Sequence, residues 1–272
     1  MRRLPAPAKL NLALVVGPRR PDGRHEVVTV LQRLDLADRI TLDAADTLEV
    51  HGFPADTLVR GALERLAAAA GLEPRWRVRI EKRIPVAAGL GGGSSDAASA
   101  LLLANRTLPN PLEPPALEEL AAGLGADVPF FLRNGPALAT GTGTDLQPLD
   151  LPQDFWVLLV LPNGATKRST ADVYEAFDRR RGEQGFAERR AALLDALETV
   201  RRPRDFASLP PNDLASSPHA SRLLELGACR ADVTGTGPVV YGVFMQRRAA
   251  EQAARALRPV GRTWITVPAW YG

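Results

Sequence analysis

The residues best suited to chemistry are one glycine-rich stretch and a few charged side chains that lie far from it in the chain. The stretch reads PVAAGLGGGSSDAASALLL from Pro85 to Leu103. Glycine permits positive φ angles and close approach of the backbone to a ligand. The first turn of a helix adds unpaired amide donors and the positive end of the helix dipole. We therefore interpret this stretch as a cradle for the phosphate groups of a di- or triphosphate.

A helix must follow the glycines for such a cradle to work. Ser94 or Ser95 is expected to be its N-cap, with Asp96 as the acid of the first turn. The helical spacing comes from small and apolar residues, namely Ala97, Ala98, Leu101 and Leu102.

Other glycine motifs fit this stretch poorly. The P-loop pattern requires a lysine and a Ser or Thr after its second glycine, and no lysine follows here. The Rossmann fingerprint fits only if Ser94 replaces the third glycine, and the acid near the expected offset, Glu113, lies among prolines. A plain turn is the remaining alternative, but it does not require so much bare backbone beside a helix start.

Three charged residues could complete a site. Lysine occurs only at Lys9, Lys82 and Lys167 in a chain that otherwise uses arginine, which indicates positions that require a compact ammonium. Lys82 precedes the glycine loop and could reach a nucleotide, although an exposed lysine at a strand end is equally compatible. Asp127 lies in GADVPFF, where composition alone favours a turn or N-cap aspartate. Taken alone, Lys9 is typical of an edge strand.

The glycine stretch is similar to the second motif of the GHMP kinases, the family named for galactokinase, homoserine kinase, mevalonate kinase and phosphomevalonate kinase. Further segments resemble one branch of that family, which acts in the non-mevalonate isoprenoid pathway on a polyol linked to cytidine diphosphate. They follow in order along nearly the whole chain: PAPAKLNLALVV (5–16), RRPDGRHEVVTVLQRLDLADRITL (19–42), GADVPFFL (125–132) and VTGTGPVVYGVF (233–244).

The resemblance implies an α+β fold of two domains, with the active site in the cleft between them, and transfer of phosphate from ATP, accompanied by Mg²⁺, to a hydroxyl of the polyol. The family places its catalytic aspartate at Asp127 and its second catalytic residue at Lys9. It places the contacts to the cytidine diphosphate part at Asn11, His25 and Tyr174. Arg24 stands where the family often has tyrosine, and its planar guanidinium can also stack on a base.

The nucleotide site is expected to combine Lys82 with the loop and the helix start. The loop residues are Pro85, Val86, Ala87, Ala88, Gly89, Leu90, Gly91, Gly92, Gly93, Ser94 and Ser95. No metal ligand is assigned, although the hydroxyl of Ser94 or Ser95 is a candidate for magnesium. Gly235 and Gly237 of the third motif would let that turn pack against the loop, or would serve only a structural tight turn.

Other function classes make different predictions. A GHMP kinase for another alcohol, such as homoserine or mevalonate, is disfavoured by the PAKLN and DGRHEV segments. A nucleotide-binding sensor without catalysis would be expected to have lost Lys9 or Asp127, and both are present. RNA binding through the arginines would weaken steeply with salt. The arginine groups are interspersed with acids and lack aromatic partners, which favours a solvated face and no nucleic acid.

Composition indicates the class of protein and its cellular compartment. The 272 residues are 45% hydrophobic with a net charge of +3, which is typical of a globular chain with a sizeable core. A single cysteine, Cys229, fits a reducing compartment. Pro5, Pro7, Lys9 and Asn11 interrupt the only signal-like segment, and no apolar run is long enough to cross a bilayer. We expect a cytoplasmic protein without membrane contact; the sequence carries no signal of its oligomeric state.

Periodicity and turn residues predict mixed helices and strands, with a domain boundary at the proline-rich segment 148–152. The expected domains are 1–150, which binds nucleotide, and 151–272. Strands are expected at 9–16, 27–36, 39–42, 47–50, 76–80, 155–161, 239–245 and 263–267. In addition to the helix after the glycine loop, helices are expected at 58–70, 115–124, 171–180, 186–200, 221–226 and 248–257.

Overall fold

The computed structural model describes residues 1–53, 58–166 and 169–269, so Lys167 lies outside the described residues. The strands are β1 Arg2–Arg19, β2 His25–Ala44, β3 Glu49–His51, β4 Trp76–Glu81, β5 Ala137–Thr140, β6 Asp145–Pro148, β7 Trp156–Pro162, β8 Arg230–Val233, β9 Val240–Phe244 and β10 Gly261–Thr266. The helices are α1 Leu58–Ala69, α2 Gly92–Asn105, α3 Pro114–Ala122, α4 Thr170–Arg179, α5 Phe186–Thr199, α6 Pro218–Glu225 and α7 Arg247–Leu257.

The larger sheet contains β1 to β6 and is organised around one long antiparallel pair. β1 pairs with β2 over nearly their whole length, and β2 also pairs with β4 and β5. The register of β1 against β2 shifts between Pro7 and Ala8 and again between Asn11 and Ala13. An extra residue of this kind bends a strand and redirects its side chains. The second shift therefore lies beside the two polar residues that β1 carries in its apolar centre, Lys9 and Asn11.

The smaller sheet has the order β10-β7-β9-β8, and all its neighbouring strands are antiparallel. The centre of β7 is buried on both faces, which explains its uninterrupted apolar sequence. Helices α6 and α7 cover one face, packing Leu223, Ala250 and Leu257 against β7 and β9. The other face meets β1, since Leu10 and Leu12 share a buried cluster with Val157 and Tyr241.

Helices α1 and α2 pack on the larger sheet and carry much of its core. α1 buries Leu63 and Leu66 at helical spacing, and α2 is small and apolar almost all round, so it lies in the interior between α1 and the strands. The chain that follows the glycines is thus a central helix whose N-terminus is held firmly by its surroundings.

The structure corrects several sequence predictions. The strands expected at 27–36 and 39–42 are one strand, β2, because β1 pairs with both halves and Asp38 between them is buried, with both carboxylate oxygens hydrogen-bonded. Short strands β5, β6 and β8 carry too few residues to show an alternating pattern. The segment after Asp127 forms a 3-10 helix, Pro129–Leu132, which lies outside every predicted element. Among the described residues, no helix is long and apolar enough to cross a membrane.

Candidate functional site

One cavity of about 850 Å³ collects nearly all of the residues that the sequence singled out. Lys9, Asn11, His25, Asp127 and Tyr174 line it, as does Lys82. So does every residue of the predicted nucleotide loop from Pro85 to Ser94. Ser95 does not, and its hydroxyl is buried without a hydrogen-bond partner among the described residues.

The glycine loop ends at the start of α2 in a geometry that exposes backbone amides. Gly91 is the N-cap in the left-handed region, with φ 70°, and no side chain caps the helix. The amides of Gly92, Gly93 and Ser94 then have no acceptor within the helix. The amide of Ser95 is different, because it donates to the carbonyl of Gly91 at 2.9 Å. The amides available to a phosphate therefore end at Ser94.

This geometry corrects two expectations about the helix start. Neither Ser94 nor Ser95 is the N-cap, because the helix begins earlier, at Gly92. Asp96 lies beyond the first turn and is fully buried. A helix N-terminus without a capping side chain is consistent with a ligand site, because a phosphate can take the place of that side chain.

Lys9 and Asp127 meet at the mouth of the loop. Lys9 Nζ lies 3.5 Å from Asp127 Oδ2, and the lysine side chain is 6% exposed while the aspartate is 38% exposed. The backbone amide of Lys9 donates to the carbonyl of Leu90 at 2.9 Å, so β1 is tied directly to the loop. A Cβ on Gly91 would lie only 2.9 Å from Lys9 Cγ. The lysine stem therefore needs a glycine at this position.

Asn11 holds the ammonium from the other side. Lys9 Nζ donates to Asn11 Oδ1 at 2.6 Å, and Asn11 Nδ2 donates to the hydroxyl of Thr29 at 2.8 Å. Thr234 in the third motif accepts from the Asn11 backbone amide at 3.1 Å. Asn11 is 5% exposed and lines the cavity. Asn11 therefore binds Lys9 directly, in addition to the substrate contact that the resemblance implies.

Lys82 is clamped between two buried carboxylates. Its ammonium lies 2.5 Å from Asp38 Oδ2 and 2.7 Å from Asp96 Oδ2, and both aspartate side chains are 0% exposed. Burial alone would lower the pKa of Lys82, but the charges and hydrogen bonds of Asp96 and Asp38 outweigh it, so the pKa is raised. The other oxygen of Asp38 accepts the amides of Arg83 and Ile84. These three side chains close the base of the glycine loop.

His25 and Tyr174 stack at another side of the cavity. Their ring centroids are 4.8 Å apart with an interplanar angle of 28°. His25 Nε2 lies 2.7 Å from Asp178 Oδ1, and Arg19 binds the other carboxylate oxygen at 3.0 Å. Burial raises the pKa of Tyr174 to about 12, and the negative charge of Asp127 adds to this effect. The phenol therefore stays neutral across the physiological range.

The third motif packs against the loop, which is one of the two alternatives that its glycines left open. Gly89 has φ 80°, and a Cβ there would lie 2.6 Å from the carbonyl oxygen of Thr234 and 2.9 Å from that of Gly237. The amide of Val239 donates to the carbonyl of Ala88. Gly235 and Thr236 line the cavity beside the loop. Both ends of the chain thus contribute to one site.

Magnesium ligands are sparse among the described residues, where no cluster of three His, Cys, Asp or Glu could hold a metal. Magnesium needs only one or two protein oxygens when substrate phosphates supply the rest. The hydroxyl of Ser94 and the carboxylate of Asp127 both line the cavity and fit that requirement. Ser95 does not line it, which leaves Ser94 as the better of the two predicted serines.

Three residues of the site escaped the sequence prediction: Asp38, Asp178 and Thr29. Each is a common residue type inside an ordinary strand or helix, without a motif of its own. The only signal for Asp38 is a charged residue inside an apolar, strand-like stretch. Thr29 and Asp178 carry no such signal.

Comparisons with known proteins identify the family of the chain. Residues 57–135 match the GHMP kinases N terminal domain. A 4-diphosphocytidyl-2-C-methyl-D-erythritol kinase of Anaeromyxobacter sp. (strain Fw109-5) is 40% identical over 93% of this chain and 85% of that protein. One of Gloeobacter violaceus (strain ATCC 29082 / PCC 7421) is also 40% identical, over 94% of this chain and 89% of its own length.

Solved structures give the same result at the level of the fold. The crystal structure of a 4-(cytidine 5'-diphospho)-2C-methyl-D-erythritol kinase superposes with a TM-score of 0.79 and 33% identity, covering 98% of this chain and all of that one. A mevalonate kinase of Methanococcus jannaschii superposes with a TM-score of 0.76 over 98% of both chains, and at 14% identity it supports the fold alone. The chain therefore belongs to the GHMP kinase family, and within it to the branch of the 4-diphosphocytidyl-2-C-methyl-D-erythritol kinases.

Proposed function

We propose that this protein transfers the γ-phosphoryl group of ATP to the 2-hydroxyl of 4-diphosphocytidyl-2-C-methyl-D-erythritol, a step of isoprenoid precursor synthesis by the non-mevalonate route. The observation that carries the mechanism is the meeting of Lys9 and Asp127, 3.5 Å apart, at the end of a loop that presents free helix amides. Phosphoryl transfer depends mainly on such positioning and on electrostatic stabilisation.

Each part of the site has a distinct role. The amides of Gly92, Gly93 and Ser94 bind phosphate oxygens of the nucleotide at the positive end of α2. Asp127 accepts the proton of the acceptor hydroxyl as its oxygen bonds to the γ-phosphorus, while the bond from that phosphorus to the bridging oxygen of ADP breaks. Lys9 stabilises the negative charge on the reacting oxygens. Ser94 would help to hold a magnesium ion bound to the nucleotide, and that ion would neutralise part of the phosphate charge.

The acceptor lies on the side of the cavity that holds His25 and Tyr174. The stacked rings of His25 and Tyr174 form a flat, partly apolar surface, and Asp178 bonds to the polar edge of His25. Such a surface suits a nucleobase. Arg19 and Arg24 line the same side and supply positive charge for a diphosphate. Lys82 contributes to nucleotide binding chiefly by holding the loop, because two carboxylates already bind its ammonium.

The division of the chain follows the two sheets. We assign residues 1–150 to a nucleotide-binding domain and 151–272 to a second domain, since all strands of the larger sheet precede β7 and all strands of the smaller sheet follow β6. A cytoplasmic location, with no nucleic-acid partner, fits a small-molecule kinase with one half-buried cysteine.

The direct test is to incubate the purified protein with γ-labelled ATP, magnesium and a panel of alcohols. The panel should include 4-diphosphocytidyl-2-C-methyl-D-erythritol, its uridine analogue, homoserine and mevalonate. Label is expected on the cytidine compound, at the 2-hydroxyl. Preferential labelling of homoserine or mevalonate would contradict the proposed acceptor and support a kinase for another alcohol.

A further inference from the structure

A buried chain of hydrogen bonds runs from the backbone of β1 to the ammonium of Lys9. Thr29 Oγ1 donates to the carbonyl of Ala13 at 2.7 Å, Asn11 Nδ2 donates to Thr29 Oγ1 at 2.8 Å, and Lys9 Nζ donates to Asn11 Oδ1 at 2.6 Å. As whole residues, all three are at most 5% exposed. Water therefore has little access to any link.

Chemistry fixes the direction of every bond in this chain. A hydroxyl has one proton, and that of Thr29 goes to Ala13, whose carbonyl can only accept. Toward Asn11 the hydroxyl must then act as an acceptor, so the NH₂ end of the amide faces Thr29. The oxygen end consequently faces Lys9, whose ammonium can only donate. A reversed amide would place an NH₂ group against the ammonium.

The shift in strand register makes this arrangement possible. It falls between Asn11 and Ala13, where one residue of β1 is extra relative to β2. Hydroxyls bind carbonyls on both of the next residues: Tyr241 donates to Leu12 at 3.1 Å, and Thr29 donates to Ala13. Thr234 binds the Asn11 amide at the other side. The bulge is thus held by β2, β9 and the third motif together.

We propose that Thr29 is a positioning residue for phosphoryl transfer. Its hydroxyl orients the Asn11 amide, and through that amide it holds the Lys9 ammonium in place beside Asp127. This inference rests on the proposed role of Lys9 in the reaction. Thr29 itself acts through Asn11 and takes no part in the bond changes.

The test compares two substitutions that differ only in the hydroxyl. Thr29→Val keeps the shape and removes the acceptor, while Thr29→Ser keeps the hydroxyl. We expect Thr29→Val to lower kcat by about ten- to a hundredfold with the KM for ATP within about twofold, because a group that stabilises the transition state is misplaced while the phosphate site is intact. Thr29→Ser should restore kcat to within about threefold of the unsubstituted protein.

Thr107→Val is a matched control. The Thr107 hydroxyl also donates to a backbone carbonyl, that of Ala104, and accepts from a side-chain N–H, that of Trp76. It lies at the far end of α2 and does not line the cavity. Thr107→Val should lower thermal stability and leave kcat unchanged. Equal losses of kcat in Thr29→Val and Thr29→Ser, or no loss in Thr29→Val, would overturn the proposal.

A second measurement needs no folded valine variant. In the unsubstituted protein, the side-chain amide signals of Asn11, identified by their absence in Asn11→Ala, should exchange slowly with solvent in a ¹⁵N spectrum. Fast exchange would overturn the fixed amide. Failure of the proposed function gives a different result: near-normal turnover in Lys9→Met removes the lysine from the chemistry, whatever Thr29 does.

Discussion

The carboxylate of Asp127 lies 3.5 Å from the ammonium of Lys9, on the open side of a lysine that is otherwise almost fully buried. β1 brings the lysine to the glycine loop, and the turn before Pro129 brings the aspartate. The exposed edge of this pair faces the cavity, so a hydroxyl entering from the cavity meets both groups at once.

Removing either member of that pair should abolish turnover without abolishing nucleotide binding. Asp127→Asn removes the proton acceptor and Lys9→Met removes the charge, and each is expected to lower kcat by about a thousandfold or more. The Kd for ATP, measured by calorimetry, should stay within about fivefold, because the helix amides are untouched. Near-normal turnover in either variant would exclude that residue from catalysis.

The clamp at the base of the loop, which consists of Lys82, Asp38 and Asp96, should affect both the stability of the protein and its binding of ATP. Asp38→Asn leaves Lys82 with a weakened partner and disturbs the acceptor for two backbone amides, at a cost of about 3 kcal/mol in the free energy of unfolding. The KM for ATP should rise more than the KM for the acceptor. Asn105→Ala is the control, because this buried side chain bonds Leu112 at the other end of α2. If both variants shift the two KM values alike, the clamp does not act on the loop.

The same clamp predicts how stability depends on pH. The folded protein raises the pKa of Lys82 above its ordinary value of 10.5, so the stabilisation is fully present below that pH and is lost as the pH rises through the raised pKa. Urea unfolding of the unsubstituted protein and of Lys82→Met should therefore differ most below pH 10.5 and converge at a pH well above it. A difference that persists unchanged at that pH would contradict the ion-pair interpretation.

The pairing of His25 with Asp178 should matter for the acceptor and not for ATP. Asp178→Asn removes the charged partner of the ring nitrogen, and we expect the KM for the cytidine substrate to rise about five- to twentyfold. Tyr174→Phe should have little effect, because stacking on His25 is retained, while Tyr174→Ala should resemble Asp178→Asn. Separate titrations of the two substrates check this, and an equal rise in the KM for ATP would count against a dedicated acceptor side.

Two glycine substitutions can separate the effect of the contact between the glycine loop and the third motif from the effect of backbone strain. Gly89→Ala places a Cβ 2.6 Å from a carbonyl oxygen at φ 80°, whereas Gly135→Ala has a similar φ of 77° with nothing within 4 Å. Both should lose about 1 kcal/mol of stability from strain. Only Gly89→Ala should lose most of its activity in the kinase assay. Similar activity in the two variants would mean that the loop tolerates displacement.

Local chemistry was sufficient to predict the cradle and most of the elements. Consecutive glycines before a strong helix former indicate exposed amides wherever the rest of the chain lies, and α1, β4 and α7 follow from periodicity that tertiary contacts did not change. The resemblance to the GHMP kinases added Lys9 and Asp127, because composition alone did not distinguish them from an ordinary strand lysine and turn aspartate.

Tertiary structure decided what those groups are bonded to. Helix α2 begins at Gly92, earlier than the sequence predicted. Its N-cap is the left-handed Gly91, which packs against Lys9 and Phe131, and not a serine. Asp38, Thr29 and Asp178 gained their roles from partners far away in the chain, and no local pattern records a partner of that kind. The sequence by itself determined that amides, an ammonium and a carboxylate were present. Only the pairing of β1 with β2 and the packing of α2 beside them brought these groups to one cavity, because such contacts depend on register and burial across the whole fold.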